Sequence, residues 1–294
     1  MILFPNCKIN LGLIITGKRE DGFHDIETAF YPIPLKDALE ILPADSKIKT
    51  QQENNTDATL NNEVAFTTTG IDIKGNPANN LCVKAYALLK KDFPHLPPTK
   101  IHLHKAIPIG AGLGGGSSDA AFTLIALNEK YALSLSQSQL ISYAIQLGSD
   151  CPFFIINRPC FGHGRGERLE PVALDLSLYQ LILINPGIHI DTGWAFRQLN
   201  KTGSLPANKH QDNSLREIVT QSPATWKDAL RNEFEPIVFD RYPEIKSIHH
   251  ALYENGAIYA AMSGSGSSIY GLYDRNVEIT VDIPGHYLRK QLLL

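Results

Sequence analysis

The sequence predicts a mixed helix-and-strand protein, and three blocks of pattern predict it. Met1 to Ile15, the stretch from Phe23 and residues 36–75 read as strands joined by turns. Helical stretches follow on either side of a strand at Thr99–Lys105, with Asn and Ser caps and good helix formers between Asn79 and Leu147. Strand-like apolar runs return beyond it, at Tyr179–Asn185 and around a glycine-serine turn between Ile258 and Tyr273.

Met1 to Ile15 is an imperfect alternation rich in Leu and Ile, the mark of a buried strand. Within it Lys8 and Asn10 stand two apart and so share one strand face. A lone Lys near a strand end is commonly a solvated edge charge, so a functional Lys8 needs other support. Lys18–Gly22 is a polar turn before a second strand that begins at Phe23-His24. Asn79-Asn80 to Lys91 reads as an amphipathic helix with an Asn cap. Thr99–Lys105 alternates as a strand, with His102 and His104 on one face. No third ligand accompanies that pair, so a half-exposed strand face is the better reading than a metal site. Gln51–Asn62 and 201–214 read as polar surface loops. Further helices are expected near Asp191–Phe196, Trp226–Asn232 and Glu244–Glu254, and Cys160–Arg168 as a tight glycine hairpin.

Composition bounds the function. The 294 residues are 43% hydrophobic and 19% charged, with a net charge of −3. That describes a soluble globular chain with ample core, not the basic stripe of a nucleic-acid binder. No apolar run approaches the ~18 residues of a membrane span. The N-terminus lacks a secretion signal, and Cys7, Cys82, Cys151 and Cys160 lack metal-ligand spacing. A cytoplasmic protein with reduced thiols is expected. No repeat or low-complexity linker appears, and the best break lies near 155–165.

The chemistry centres on Lys105-Ala-Ile-Pro108-Ile-Gly110-Ala111-Gly112-Leu113-Gly114-Gly115-Gly116-Ser117-Ser118-Asp119, which places five glycines within seven residues. Glycine brings backbone N–H groups against a ligand with no Cβ in the way. A helix opening at Ser117, Ser118 and Asp119 adds free N–H groups and a positive dipole end, so the stretch predicts a phosphate site. No Lys follows the glycines, which excludes the G-x-x-x-x-G-K-[ST] loop. A second helical stretch, Ser136–Leu147, stands where a dinucleotide fold needs a strand. The partner motifs of protein kinases are absent. Two further features leave alternatives open. Asp150 follows Gly148 in a turn, and Ser263-Gly264-Ser265-Gly266 is either a plain hairpin or part of a site.

Taken together, Pro5-x-x-Lys8-x-Asn10-Leu, Pro108 to Ser118 and Ser263 to Gly266 resemble, in order and rough spacing, the three signatures of the GHMP kinases. Arg19-x-Asp-Gly-Phe23-His24, the extended Gly-Leu-Gly-Gly-Gly-Ser-Ser and Leu147-Gly-Ser-Asp150-Cys-Pro-Phe are similar to one branch of that family. Its acceptor is 4-diphosphocytidyl-2-C-methyl-D-erythritol, in non-mevalonate isoprenoid biosynthesis. The resemblance implies a two-lobed α+β architecture, with an N-terminal lobe (1–158) like the second domain of ribosomal protein S5. An α/β sandwich lobe (159–294) would complete the acceptor site. It implies transfer of the ATP γ-phosphate to the acceptor's 2-hydroxyl, with Mg²⁺ arriving on ATP and no protein metal ligand assigned. Asp150 would be the general base and Lys8 its charge partner. Pro108 to Ser118 would wrap the phosphates, with Asn80 and Lys105 near the adenosine. Asn10, Gly264, Ser265 and Gly266 would meet the acceptor, Phe196 and Phe23 would stack on its cytosine, and His24 would read the base edge. Phe23 stands where the family commonly has Tyr, keeping the ring and losing a hydroxyl. Neither nucleic acid nor membrane is an implied partner, and monomer and homodimer both stay open. The alternatives are another kinase of the family, for homoserine or a sugar, or a non-catalytic nucleotide binder.

Overall fold

The computed structural model describes residues 1–44, 58–60, 63–201 and 214–294. Most of the two expected polar loops, at 51–62 and 201–214, lies outside these residues. The strands are β1 (Ile2–Leu3), β2 (Asn6–Lys18), β3 (His24–Lys36), β4 (Ala38–Pro43), β5 (Ala58–Leu60), β6 (Val64–Gly70), β7 (Thr99–Lys105), β8 (Cys160–His163), β9 (Arg168–Pro171), β10 (Tyr179–Asn185), β11 (Tyr259–Met262), β12 (Ile269–Asp274) and β13 (Leu288–Leu293). The α-helices are α1 (Leu81–Asp92), α2 (Gly115–Lys130), α3 (Gln137–Leu147), α4 (Cys151–Ile156), α5 (Thr192–Lys201), α6 (Leu215–Val219), α7 (Trp226–Ala229), α8 (Glu235–Arg241) and α9 (Pro243–Glu254).

Two compact units form, and neither is contiguous in sequence. One takes Met1–Cys7, Leu35–Ile109 and Gly114–Asn157; the other takes Lys8–Pro34, Gly110–Leu113 and Arg158–Leu294. The chain changes unit inside β2, inside β3, on either side of residues 110–113, and after Asn157. Composition shows no linker because these changes run through strands and a tight loop instead of exposed polar chain.

In the first unit, five strands pair in the order β1-β4-β7-β6-β5, with β6 and β7 parallel and the other pairs antiparallel. Strand β7 alternates cleanly: Thr99, Ile101, Leu103 and Lys105 are buried, and the residues between them face outward. A period of two puts alternate residues on opposite faces, so one face joins the core and the other meets water. His102 and His104 lie on the outward face, bonded to Thr67 and Thr69 at 2.7 and 3.0 Å. They are the half-exposed strand face expected. Helix α1 starts where the Asn80 side chain accepts from the Cys82 N–H at 2.9 Å. Helix α3 opens on a Ser136–Gln139 capping box, in which side chain and backbone satisfy each other's orphan groups.

In the second unit the strands form two sheets, β2-β3-β8-β9 and β11-β12-β10-β13. Leu13, Ile182, Ile184, Ala195, Phe234, Val238, Ile248, Leu252 and Met262 share one buried cluster, which seats α5, α8 and α9. The expected hairpin at 160–168 forms, with Gly164 and Gly166 at φ of +68° and +98°. The helix expected at Trp226–Asn232 is only the four-residue α7, because Leu230 turns to an extended conformation. Asn232 then serves as a buried tie, its amide donating to the Met262 and Gly264 carbonyls at 2.8 Å each. The final strand β13 carries no apolar alternation and was not legible in the sequence.

Glu235 lies in α8 and accepts a hydrogen bond from the Met262 N–H at 2.7 Å. Burial pushes its carboxyl up to about 7, with that hydrogen bond acting in the opposite direction. A carboxyl raised above its ordinary 4.5 stabilises the fold below that value and loses the contribution as pH rises through about 7. Wild-type stability measured against Glu235→Gln should therefore fall between these two pH values and level off above. Urea denaturation across that range checks it; parallel profiles for the two proteins would refute it.

Candidate active site

The strand leading into the glycine loop and the helix leaving it are joined by buried charge. Lys105, at the inner end of β7, is only 3% exposed. Its ammonium pairs with the Asp37 carboxylate, and with Asp119 Oδ2 at 2.9 Å. Asp37 Oδ1 accepts from the Ala106 and Ile107 N–H groups at 2.6 and 2.8 Å. Burial opposes the Lys105 charge, but the two carboxylates outweigh it and its pKa is raised. Burial also pushes Asp119 up to about 7, the Lys105 ammonium opposing and the Asp37 charge adding.

Helix α2 begins at Gly115, two residues earlier than expected, behind Gly114 in the left-handed region at φ +68°. The Ser118 N–H already bonds the Gly114 carbonyl, so the helical N–H groups before it, from Gly115 to Ser117, are the orphan donors of the first turn. Among the described residues, nothing beyond its chain neighbours and the helix's own backbone lies within 4 Å of where a Gly116 Cβ would sit, so that face of the turn is open. The Ser118 hydroxyl is buried with no hydrogen-bond partner among the described residues, a polar atom left over beside these donors.

Asp150 stands in the same unit, at the N-cap of α4, where its side chain makes no capping bond. The turn ahead of it packs against the start of α2. A Cβ on Gly148 would meet Cys151 Sγ at 3.4 Å and Ser117 Oγ at 3.9 Å. The Cys151 thiol is pushed up to about 12 by burial, with a hydrogen bond from the Ser117 hydroxyl lowering it. A carboxylate is thus carried beside a helix N-terminus suited to phosphate.

In the other unit, Lys8 and residues 110–113 are laced together. The Lys8 N–H donates to the Leu113 carbonyl at 3.0 Å, and its ammonium donates to the Gly112 carbonyl at 2.9 Å and to Asn10 Oδ1. Lys8 is 3% exposed and lies 5.3 Å from the Phe30 ring centroid, so the solvated edge charge is excluded. Asn10 donates in turn to Thr28 Oγ1 at 2.9 Å. Gly112, at φ +77°, lies so close to the Ser263 carbonyl that an added Cβ would sit 1.9 Å from the oxygen. Only glycine fits there, on both conformational and steric grounds.

The Ser263–Ser268 turn completes this lacing. Ser263 Oγ donates to the Gly112 carbonyl at 2.8 Å, and the Ser268 N–H to the Ala111 carbonyl at 3.2 Å. Gly264 and Gly266 take φ of +57° and +97°, and the Ser265 hydroxyl meets Thr192 Oγ1 at 2.8 Å. Asn185 holds Ser267 and Ser268 from below. This is more than a plain hairpin, since it anchors the middle of the glycine loop.

His24 and Phe196 come together as a parallel stack, with centroids 4.6 Å apart and planes 10° from parallel. Phe234 meets Phe196 edge to face, with centroids 4.9 Å apart and planes at 83°. Rings that close leave no room for a base between them, so a base must stack on an outer face. Phe23 is not in that stack: it is 54% exposed, with the Arg165 guanidinium 4.9 Å from its ring centroid. Sequence reasoning missed Asp37, Asp119 as a partner of Lys105, Asn185 and Asn232. Each is a buried polar residue that only a tertiary contact distinguishes from a turn or cap residue. Among the described residues no three His, Cys, Asp or Glu side chains gather to hold a metal, and no helix is long and apolar enough to cross a membrane.

Comparison with known proteins gives the family. The pattern of the GHMP kinases N terminal domain matches residues 80–158, and that of the GHMP kinases C terminal matches 209–280. The 4-diphosphocytidyl-2-C-methyl-D-erythritol kinase of Bacteroides fragilis is 49% identical over 281 residues, 95% of this chain and 94% of that protein. Its counterpart in Cytophaga hutchinsonii is 46% identical over 279 residues, 95% of this chain and 94% of that protein. A crystal structure of 4-(cytidine 5'-diphospho)-2C-methyl-D-erythritol kinase superposes with a TM-score of 0.74 at 31% identity, covering 92% of this chain and 90% of that one. The mevalonate kinase of Methanococcus jannaschii shares the fold at 13% identity, TM-score 0.67, over 100% and 98% of the two chains. With this identity along nearly its whole length, and with the mixed α+β fold in common, the chain belongs to the GHMP kinases, as an ATP-dependent enzyme of their 4-diphosphocytidyl-2-C-methyl-D-erythritol kinase branch.

Proposed function

We propose that this chain phosphorylates the 2-hydroxyl of 4-diphosphocytidyl-2-C-methyl-D-erythritol, producing the 2-phosphate and ADP in non-mevalonate isoprenoid synthesis. The observation that carries the reading is the packing of the Gly148–Asp150 turn against Ser117 at the start of α2. It supports a reading in which Asp150 accepts a proton beside N–H groups that take a phosphate. Phosphoryl transfer depends mainly on positioning and charge stabilisation, and a modest carboxylate suffices as base.

In the proposed mechanism the N–H groups of Gly115, Gly116 and Ser117 and the loop from Pro108 bind the ATP phosphates. Asn80 and Lys105 border the adenosine. Asp150 takes the proton as the acceptor oxygen bonds to the γ-phosphorus and the bond to ADP breaks. Lys8 supports the charge on Asp150, and Asn10 orients both Lys8 and the acceptor. Gly264 to Gly266 border the transferred group. Phe196 and Phe23 offer ring faces to cytosine, and His24 offers ring nitrogens at its edge. Mg²⁺ enters with the nucleotide and supplies charge neutralisation on its phosphates. Residues 1–158 and 159–294 are proposed as the two family lobes, acting as monomer or homodimer in the cytoplasm.

The test is ADP release with Mg-ATP and, separately, the cytidyl acceptor, homoserine or galactose. The cytidyl acceptor should be preferred by orders of magnitude. Preference for homoserine or galactose would move the chain to another branch, and turnover with none would leave only a nucleotide binder. Loss of one stacking face costs about 1–3 kcal/mol, so Phe196→Ala should raise the acceptor KM about tenfold or more and leave the ATP KM unchanged.

A further inference from the structure

We propose that Asp37 is a positioning residue for the phosphate loop, tying the strand that leads into the loop to the helix that leaves it. The inference rests on the kinase reading above and adds a residue to it. Asp37 precedes β4, far in sequence from the loop, yet it is 1% exposed and both of its oxygens are engaged with the loop's base. Oδ1 takes the Ala106 and Ile107 N–H groups at 2.6 and 2.8 Å, fixing the direction in which the chain leaves β7. Oδ2 pairs with the Lys105 ammonium, which reaches Asp119 Oδ2 in α2 at 2.9 Å. One carboxylate therefore holds the incoming backbone and, through a shared cation, the outgoing helix.

The packing around Gly115 makes the same connection without charge. A Cβ there would come within 2.8 Å of Ile107 Cγ2 and 3.0 Å of Lys105 Nζ. The two ends of the loop are thus closed against each other, and the first-turn N–H groups of α2 hold their direction only while that closure lasts. Three hydrogen bonds to a charged group in a dry site confer more rigidity than the same bonds at a surface. A loop already shaped for the triphosphate avoids an ordering cost when ATP binds. Asp37 itself donates nothing to the nucleotide; it acts through Lys105 and the 105–107 backbone.

Nucleotide affinity, read without the acceptor, is the measurement that separates this role from the catalytic one. ATP binding to wild type, Asp37→Asn and Asp37→Ala is titrated at equilibrium with Mg-ATP, beside steady-state KM and kcat. Asp37→Asn keeps the shape and an oxygen for the two N–H groups, while Lys105 retains Asp119, so this variant should fold. Losing the charged partner should weaken ATP binding about threefold to tenfold in Asp37→Asn and more in Asp37→Ala, at about 1.4 kcal/mol per tenfold. The acceptor KM should stay within about twofold, since the loop's base does not bear on the acceptor. Unchanged ATP affinity in folded Asp37→Asn overturns the proposal, as does a fall in kcat with both KM values unchanged. Failure of wild type to turn over the cytidyl acceptor would instead count against the functional reading, and the nucleotide titration would still decide the role of Asp37.

Discussion

Asp150→Asn is expected to lower turnover by about 10²–10⁴-fold, the usual worth of a positioned general base, with ATP affinity within about twofold of wild type. The amide has the carboxylate's shape but cannot accept the hydroxyl proton. Helix α4 does not depend on the residue for its first turn, because Asp150 makes no side-chain capping bond there. The first-turn N–H groups of α2 are untouched, since they are backbone groups of Gly115 to Ser117. Loss should thus fall on kcat, as expected of an interaction used in the transition state. ADP release under saturating substrates, with ATP binding measured separately, checks both halves. Near-normal turnover in the variant would take Asp150 out of the mechanism.

Replacing Lys8 should do damage of similar size with a different signature. Its ammonium donates to the Gly112 carbonyl at 2.9 Å and to Asn10, so it holds loop backbone as well as supplying charge. Removing one preorganised cationic donor costs about 10²–10³-fold in turnover. Lys8→Ala also opens a cavity in a site that is only 3% exposed. Lys8→Met is the cleaner probe, keeping the apolar stem against Phe30 while deleting the charge. Turnover should collapse in both variants, and ATP affinity should weaken as well, because Gly112 loses its tether. Near-wild-type turnover in a folded Lys8→Met protein would show the ammonium to be structural only.

Local chemistry made much of the site readable. Five glycines before a run of helix formers announce exposed backbone donors, whatever surrounds them, and α2 starts among them at Gly115. An Asn cap at 79–80 and a Ser cap at 136 were legible for the same reason, and Asn80 and Ser136 satisfy N–H groups two and three residues away. The hairpin at 160–168 and the turn at 263–268 were marked by residues that tolerate positive φ. Trp226–Asn232 misled because apolar spacing says nothing of where a chain must turn to bring Asn232 under the Gly264 carbonyl.

The family was legible in the sequence alone, because its signatures are short motifs of fixed spacing, and Lys8, Asp150, His24 and Phe196 became site candidates only through that resemblance. Tertiary structure decided which polar residues are buried and with whom. Asp37 and Lys105 are 68 residues apart, and nothing in either neighbourhood distinguishes their pairing from two solvated charges. The same holds for Ser263 against Gly112, 151 residues away, and for the stacking of His24 on Phe196. Burial and pairing between distant segments arise only when the strands take their register, since desolvation makes an unpaired buried charge costly and selects the arrangement that pairs it.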